Sequence, residues 1–119
     1  MDELVQWLGK QLDAEAAHSR QVADKYGAEW EAARDWVSSD TGTDVIDEAG
    51  APVEFIAAHD PARVLREIDT KRQLMEGHEP DECVPPCCTG CVDDHPCRHL
   101  RLLALPYADR PGYREDWRP

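Results

Sequence analysis

The sequence predicts an α+β fold, in which helices accompany a small β-hairpin and a loop rich in cysteine and histidine. Three observations predict it. Apolar residues recur at three- and four-residue steps near the N-terminus and again after Asp60, which is the period of an amphipathic helix. Two short apolar pieces between those segments flank a turn that contains glycine. All five cysteines and three of the five histidines then fall within residues 78–99.

Length and composition indicate one small domain over residues 1–119, with a limited hydrophobic core. The net charge of −12 disfavours general binding to nucleic acid, because a phosphate backbone is bound through Lys and Arg. Residues 98–119 hold five arginines against three acids, so binding through a local arginine-lined surface remains an alternative.

The sequence shows no signal peptide and no membrane-length apolar stretch, which favours the cytoplasm. Cysteines stay reduced there, so a disulfide framework is less expected than a metal site.

The first 40 residues are expected to be helical. Leu4, Trp7, Leu8 and Leu12 share one face of a helix over residues 2–24, and the acids in its first turn complement the helix dipole.

A second helix is expected over residues 25–37. Its face is formed by Tyr26, Trp30, Ala33 and Val37. Gly27 disfavours helix, so a kink or break is expected between the two helices at that residue.

Residues 43–58 are expected to form a two-stranded β-hairpin. The apolar pieces are Val45-Ile46 and residues 53–57, and the turn between them ends in Gly50, where a positive φ is easily adopted. An isolated hairpin is only marginally stable, so its apolar face is expected to pack against helices.

The central helix is expected over residues 60–77. Asp60 can cap its first N–H groups, Pro61 is tolerated at the first helical position, and Gly77 is suited to end it. Its buried stripe is expected to contain Val64, Leu65, Ile68 and Met75.

A last helix is expected over residues 97–106, with Leu100, Leu103 and Ala104 facing inward. Residues 107–119 then form an aromatic tail. Tyr107, Tyr113 and Trp117 are expected to hold this tail across the domain.

The loop over residues 78–99 joins the last two helices and carries the candidate site. Cys88 and Cys91 form a C-x-x-C motif in which Gly90 allows a tight turn, so both thiolates can point at one metal ion. Cys97 lies at the start of the last helix, where a thiolate is favoured. His78, at the end of the preceding helix, is the expected fourth ligand. The predicted cofactor is one structural Zn²⁺ ion.

Four further residues of the loop are reserve ligands: Cys83 first, then Cys87, His95 and His99. Neighbouring side chains diverge, so adjacent Cys87 and Cys88 are not expected to hold the same ion, and one of them is expected to be free. With this many candidates, binding of two ions is an alternative to binding of one. An iron–sulfur cluster is the alternative cofactor, because the loop has enough cysteines for four thiolates.

The motifs of several enzyme classes are missing or misplaced. The zinc-deaminase pattern needs His-x-Glu well before a Pro-Cys-x-x-Cys pair, whereas Glu79 directly follows His78. The C-x-x-C motif lies in a Pro- and Gly-rich loop, not between a strand and a helix as in thioredoxin-like proteins. No P-loop, G-x-S-x-G or His-Glu-x-x-His motif occurs.

Several sequence segments together carry a resemblance to a known family: MDELVQWLGKQLD at the start, HDPARVLREIDTKRQL at 59–74, CCTGC, PCRHLRLLALPYA and the ending ADRPGYREDWRP. They resemble a family of small uncharacterised proteins of actinomycetes and their phages, a domain of unknown function with a Cys/His zinc-like segment and an ALPYADxPxYRxxWRP-type ending. The resemblance implies metal ligands at His78, Cys88, Cys91 and Cys97. In residues 19–40 the family more often has a turn leading to strands, whereas this chain is predicted helical. The resemblance implies no established activity.

Three functions follow as hypotheses. The first is a non-enzymatic, zinc-stabilised module that binds a protein partner through its acidic N-terminal region or its aromatic tail. The second is an accessory protein associated with nucleic acid or nucleoprotein, including an acidic mimic of DNA; its phosphate contacts would come from Arg98, Arg101, Arg110 and Arg114. The third is a metal-dependent enzyme with an open zinc site, if His78 leaves the fourth position to water.

Overall fold

The computed structural model describes residues 3–83 and 86–119. These residues form four α-helices and one three-stranded antiparallel sheet, so the predicted α+β class is confirmed. In chain order the elements are α1 (Glu3–Tyr26), β1 (Trp30–Ala33), β2 (Trp36–Ser39), β3 (Asp44–Asp47), α2 (Val53–Ala58), α3 (Pro61–Glu76) and α4 (Arg98–Ala104). Short 3-10 turns follow at Leu105–Tyr107 and Glu115–Trp117. The predicted helix start at Asp2 lies outside the described residues.

The described residues fall into two compact units. One unit contains the residues up to Asp13 and those from Asp69 onward, and the other contains Ala14–Ile68. Helices α1 and α3 each contribute residues to both units. The single domain expected from the chain length stays a prediction.

The second predicted helix, over residues 25–37, is wrong, because this segment ends α1 and enters the sheet. Gly27 stops α1 with a φ of +87°, and a Cβ on it would lie 2.7 Å from the Cβ of Ser39. Strand β1 then pairs antiparallel with β2, from Trp30 opposite Ser39 to Ala33 opposite Trp36. The alanine-rich sequence favours a helix locally, and strand pairing overrides that preference.

Val37 explains why this segment is a strand. It lies in β2, the middle strand, opposite Ala32 of β1 and Ile46 of β3, and its side chain is completely buried. Val37, one of the residues whose spacing resembles a helical face, is therefore a buried position of the middle strand.

The predicted hairpin over residues 43–58 is wrong in its second half. Val45 and Ile46 lie in β3 as expected, but β3 pairs with β2 and the sheet order is β1-β2-β3. Residues Val53–Ala58 form helix α2 instead of a strand. An apolar run this short fits a strand or a helix equally well by its period, so the sequence pattern does not distinguish the two.

Asp60 starts α3 as predicted and also holds the sheet. Its Oδ1 accepts a hydrogen bond from the N–H of Arg63 at 2.8 Å, which is an N-cap contact. Its Oδ2 accepts a hydrogen bond from the N–H of Trp30 at 3.0 Å. One carboxylate therefore fixes both the first turn of α3 and the start of β1.

The unit that contains the cysteine loop has a core of aliphatic side chains. Helix α1 buries Leu4, Leu8 and Leu12 there, and α4 buries Leu100 and Ala104. In both helices these residues recur every four positions, which places them on one face.

The C-terminal tail is held on α1 by an aromatic cluster. The rings of Trp7, Tyr113 and Trp117 lie with centroids 5.5–5.8 Å apart, and Trp117 is buried. The indole N–H of Trp7 donates a hydrogen bond to the carbonyl of Pro111 at 3.0 Å. Gly112 is required beside it, because a Cβ there would lie 2.7 Å from the indole nitrogen of Trp7.

Within residues 3–83 and 86–119, no helix combines the length and the apolar character needed to cross a membrane.

Candidate metal centre

The end of α3 and the start of α4 supply the two outer residues of the cysteine and histidine cluster. Helix α3 ends at Glu76, and the N–H of His78 donates to the carbonyl of Met75 at 3.1 Å, so the imidazole follows directly from the helix. Cys97 precedes α4, and its carbonyl accepts the N–H of Arg101 at 3.1 Å. Both residues are therefore anchored by regular backbone structure.

Backbone hydrogen bonds hold the intervening loop in shape. The N–H of Cys88 donates to the carbonyl of Asp93 at 3.0 Å, and the N–H of Thr89 donates to the carbonyl of Glu79 at 2.9 Å. The hydroxyl of Thr89 in turn accepts the N–H of Glu79 at 3.1 Å. Pro80 and Cys88 form an isolated antiparallel bridge. The C-x-x-C turn is thus tied to the residues that follow α3.

The structure brings together the four residues expected as first-choice ligands. His78, Cys88, Cys91 and Cys97 each offer one donor atom, and these atoms all lie within 4.8 Å of one another. Nδ1 of His78 lies 3.2 Å from Sγ of Cys88 and 3.5 Å from Sγ of Cys97. Cys88 and Cys97 are buried, whereas His78 and Cys91 are half-buried. The group is consistent with metal binding by three thiolates and one imidazole.

Gly90 allows the C-x-x-C turn to approach the end of α3. A Cβ on Gly90 would lie 2.1 Å from the carbonyl oxygen of Gly77 and 3.0 Å from Nδ1 of His78. The first distance is a clash with backbone, so a larger residue requires the turn and the helix end to separate. Sequence reasoning assigned Gly90 a tight turn and missed this contact, for which the C-x-x-C spacing gives no signal.

The cluster favours the thiolate of Cys88. Burial raises the pKa of the Cys88 thiol, but hydrogen bonds from the N–H of Gly90 and from the thiols of Cys91 and Cys97 outweigh it, so the net pKa is lowered. The N–H of Gly90 lies 3.4 Å from Sγ of Cys88. The lowered pKa means that Cys88 gives up its proton to a metal ion more readily than an unperturbed thiol does.

Cys91 shows the opposite shift. A backbone hydrogen bond from Asp93 lowers its pKa, but partial burial and the neighbouring sulfurs of Cys88 and Cys97 raise it, and together they bring the pKa to about 11. Negative charge on the other thiols makes further ionisation costly. A cation at the centre of the group would remove that cost, because it compensates the thiolate charges.

Two of the reserve ligands lie outside the cluster. Cys83 and Cys87 are joined in a disulfide with their Cα atoms 5.3 Å apart, a separation usual for such bonds. The expectation that the cysteines stay reduced is therefore wrong for Cys83 and Cys87. Among the described residues the free cysteines are Cys88, Cys91 and Cys97, so a site of four thiolates lacks its fourth cysteine there.

The two reserve histidines contact His78 instead of joining the group. Nε2–H of His95 donates a hydrogen bond to the backbone carbonyl of His78 at 3.2 Å. The ring of His99 stacks on the ring of His78, with centroids 4.5 Å apart and an angle of 19° between planes. Both contacts orient His78, a role that sequence reasoning missed because loop histidines with different roles look alike in sequence.

No curated protein and no solved structure shows significant similarity to this chain. A family model does match, and it spans residues 1–119, which includes all four residues of the cluster. The resemblance to a domain of unknown function is confirmed at that level. The chain belongs to DUF6221, a family of unknown function.

Proposed function

We propose that this protein is a non-enzymatic binding module whose Cys3His cluster holds one structural zinc ion. The convergence of four donor atoms within 4.8 Å carries the proposal. Three thiols and one imidazole are the donor set of closed, structural zinc sites.

The separations of the donor atoms fit a tetrahedral ion. With zinc–nitrogen distances of about 2.0–2.1 Å and zinc–sulfur distances of about 2.3 Å, a tetrahedral site separates nitrogen from sulfur by about 3.6 Å and two sulfurs by about 3.8 Å. The nitrogen–sulfur distances of 3.2 Å and 3.5 Å are close to the first value. Because no pair exceeds 4.8 Å, small side-chain movements complete the coordination.

The ligand count supports a structural role over a catalytic one. A catalytic zinc ion keeps one position for water or substrate, which leaves three protein ligands. Here His78 lies close to the sulfurs of Cys88 and Cys97 and supplies a fourth donor. Two contacts hold His78 there: the ring of His95 donates a hydrogen bond to the backbone carbonyl of His78, and the ring of His99 stacks on its imidazole.

Exposed apolar side chains near the cluster support an interaction role. Val92 follows Cys91 in the turn and is fully exposed, and Leu74 and Leu102 are each more than two-fifths exposed. Leu74, Leu102 and the ring of His99 line a small hollow beside His78. Exposed apolar side chains beside a candidate site are compatible with an interaction surface.

Association with nucleic acid has less support. Arg114 forms ion pairs with Glu3 and Asp116, and Arg118 forms an ion pair with Glu115. These acids would compete with phosphate for the arginines. The net charge of −12 acts in the same direction.

Metal analysis tests the proposal. The protein is purified without a metal-affinity tag and in the presence of a thiol reductant. We expect inductively coupled plasma mass spectrometry to find one zinc ion per chain. Cys91→Ser should reduce the zinc content strongly, because it removes one of the four donors. The double variant Cys83→Ser/Cys87→Ser is the matched control, since it removes two cysteines that lie outside the cluster and should keep the ion. Equal loss of zinc in both variants, or none in Cys91→Ser, contradicts the assignment.

A further inference from the structure

Helix α1 and the end of α3 enclose an open groove with a cavity of about 450 Å³, which we call the Gly9 groove. Its apolar lining comes from Val5, Gly9, Leu12, Met75 and Pro80. Its polar rim comes from Gln6, Arg72, Glu76, Glu79 and His78. The volume falls within the range of about 300–1,000 Å³ that is typical of ligand sites.

Gly9 has no packing role within the described residues. It lies inside the 24-residue helix α1, where glycine costs free energy relative to alanine because it orders more backbone and adds no side chain. A Cβ on Gly9 would meet no atom within 4 Å, so the fold itself has room for a larger residue. The glycine leaves the wall of the groove at backbone level, which allows close approach by something outside the chain.

The rim of the groove carries unpaired negative charge. Arg72 is matched, because its guanidinium lies 2.7 Å from the carboxylate of Asp13. Glu76 and Glu79 are exposed, and their carboxylates have no ion-pair partner among the described residues. An occupant of the groove should therefore place positive charge at these two acids.

From these observations we infer that the Gly9 groove binds a basic, amphipathic segment of a partner protein. An apolar side chain of that segment would lie over Gly9, and a Lys or Arg would meet Glu76 and Glu79. Recognition of an amphipathic segment between two helices is a common mode of peptide binding. A second copy of this chain is disfavoured as the occupant, because each copy carries a net charge of −12. The inference rests on the interaction role proposed above and specifies its partner.

Selection from a phage-displayed library of random peptides tests the inference, with zinc-supplemented wild-type protein as the target. We expect the enriched peptides to carry an apolar residue flanked by Lys or Arg. Gly9→Trp should fill the groove and weaken binding of a selected peptide by about tenfold or more in fluorescence anisotropy. Gly9→Ala is the graded control: its methyl group enters the groove but fills less of it than an indole does, so it should weaken the same peptide measurably but less than Gly9→Trp, and it should raise the melting temperature.

The acids are tested separately. Glu76→Gln/Glu79→Gln should weaken the same peptide several-fold and reduce the dependence of its affinity on salt. Enriched peptides that are acidic, or no peptide that distinguishes wild type from Gly9→Trp, overturn the inference. A dimer seen in sedimentation and abolished by Gly9→Trp also overturns it, since the occupant would then be a second copy.

Failure of this inference is distinguishable from failure of the proposed function. Peptides that bind equally to wild type and Gly9→Trp place the partner on another surface, so the interaction role stands and the groove assignment falls. Zinc content measured on the same samples reports the metal site independently. Peptide binding in the Gly9 groove by protein that holds no zinc would remove the structural-zinc claim and leave the groove assignment intact.

Discussion

At the scale of single residues, the cluster is defined by how its four donors affect one another. The pKa of Cys88 is lowered and the pKa of Cys91 is raised to about 11, although the two thiols belong to one C-x-x-C motif. The difference arises because ionisation of one sulfur opposes ionisation of the next at short range. Three thiolates become compatible when a cation lies between them, so the protonation of Cys91 and metal binding are linked.

This linkage predicts that zinc affinity rises with pH. With a pKa of about 11 in the metal-free fold, Cys91 carries its proton at neutral pH, and zinc must displace it. While pH is below the pKa, each proton that zinc displaces makes the apparent zinc affinity rise about tenfold for every unit by which pH increases. Competition with a chromophoric chelator at pH 6.5 and pH 7.5 measures the change, and a pH indicator in weak buffer reports the released protons. Affinity that stays constant between these pH values contradicts the linkage.

The sequence predicted which four residues come together, because each lies at a recognisable position: after a helix end, in a C-x-x-C turn, or before a new helix. Their role as metal ligands stays a prediction. Pairing of Cys83 with Cys87 and the contact of Gly90 with Gly77 were not predictable in the same way. Both depend on how the loop closes on itself, and sequence spacing specifies which residues can meet without specifying which do.

At the scale of elements, the helices with clear signals were predicted and the sheet was largely missed. Helix α1 has a regular apolar face, and α3 has Asp60 as a cap and Pro61 at its first position, so local chemistry determines both. Strands β1 and β2 contain four residues each and owe their conformation to pairing across the sheet. Pairing partners are distant interactions that a local period does not report.

Asp60 links a helix to the sheet and predicts a large effect for one substitution. Asp60→Ala removes the N-cap contact to Arg63 and the hydrogen bond to the N–H of Trp30 together. We expect it to lower the free energy of unfolding by about 2 kcal/mol. Urea unfolding followed by circular dichroism measures the loss.

Asp69→Ala is the matched control for this substitution. Asp69 is exposed on the same helix and accepts a hydrogen bond from Gln73. Its removal should change stability by less than about 0.5 kcal/mol. Similar losses for the two variants would mean that Asp60 acts only as another charge on α3.

At the scale of the whole molecule, the cluster joins the end of α3 to the start of α4 in a chain with a limited core. The free energy of structural zinc binding is about 10–16 kcal/mol in zinc-finger peptides, which is comparable to the free energy of unfolding of a whole domain. Coordination of zinc by the cluster would keep the loop after α3 rigid and hold His78 beside the Gly9 groove. The strongly negative charge favours a basic partner on the outside, and a bound cation would offset thiolate charge within the loop.

X-ray absorption at the zinc edge of the purified, reduced protein tests the central claim most directly, because it reports the atoms bound to the ion. The proposed site predicts three sulfurs at about 2.3 Å and one nitrogen at about 2.0–2.1 Å, with the sulfur number falling to two in Cys91→Ser if that variant retains the ion. A shell made only of oxygen and nitrogen, or a protein to which added zinc does not bind, would contradict a structural zinc ion held by His78, Cys88, Cys91 and Cys97.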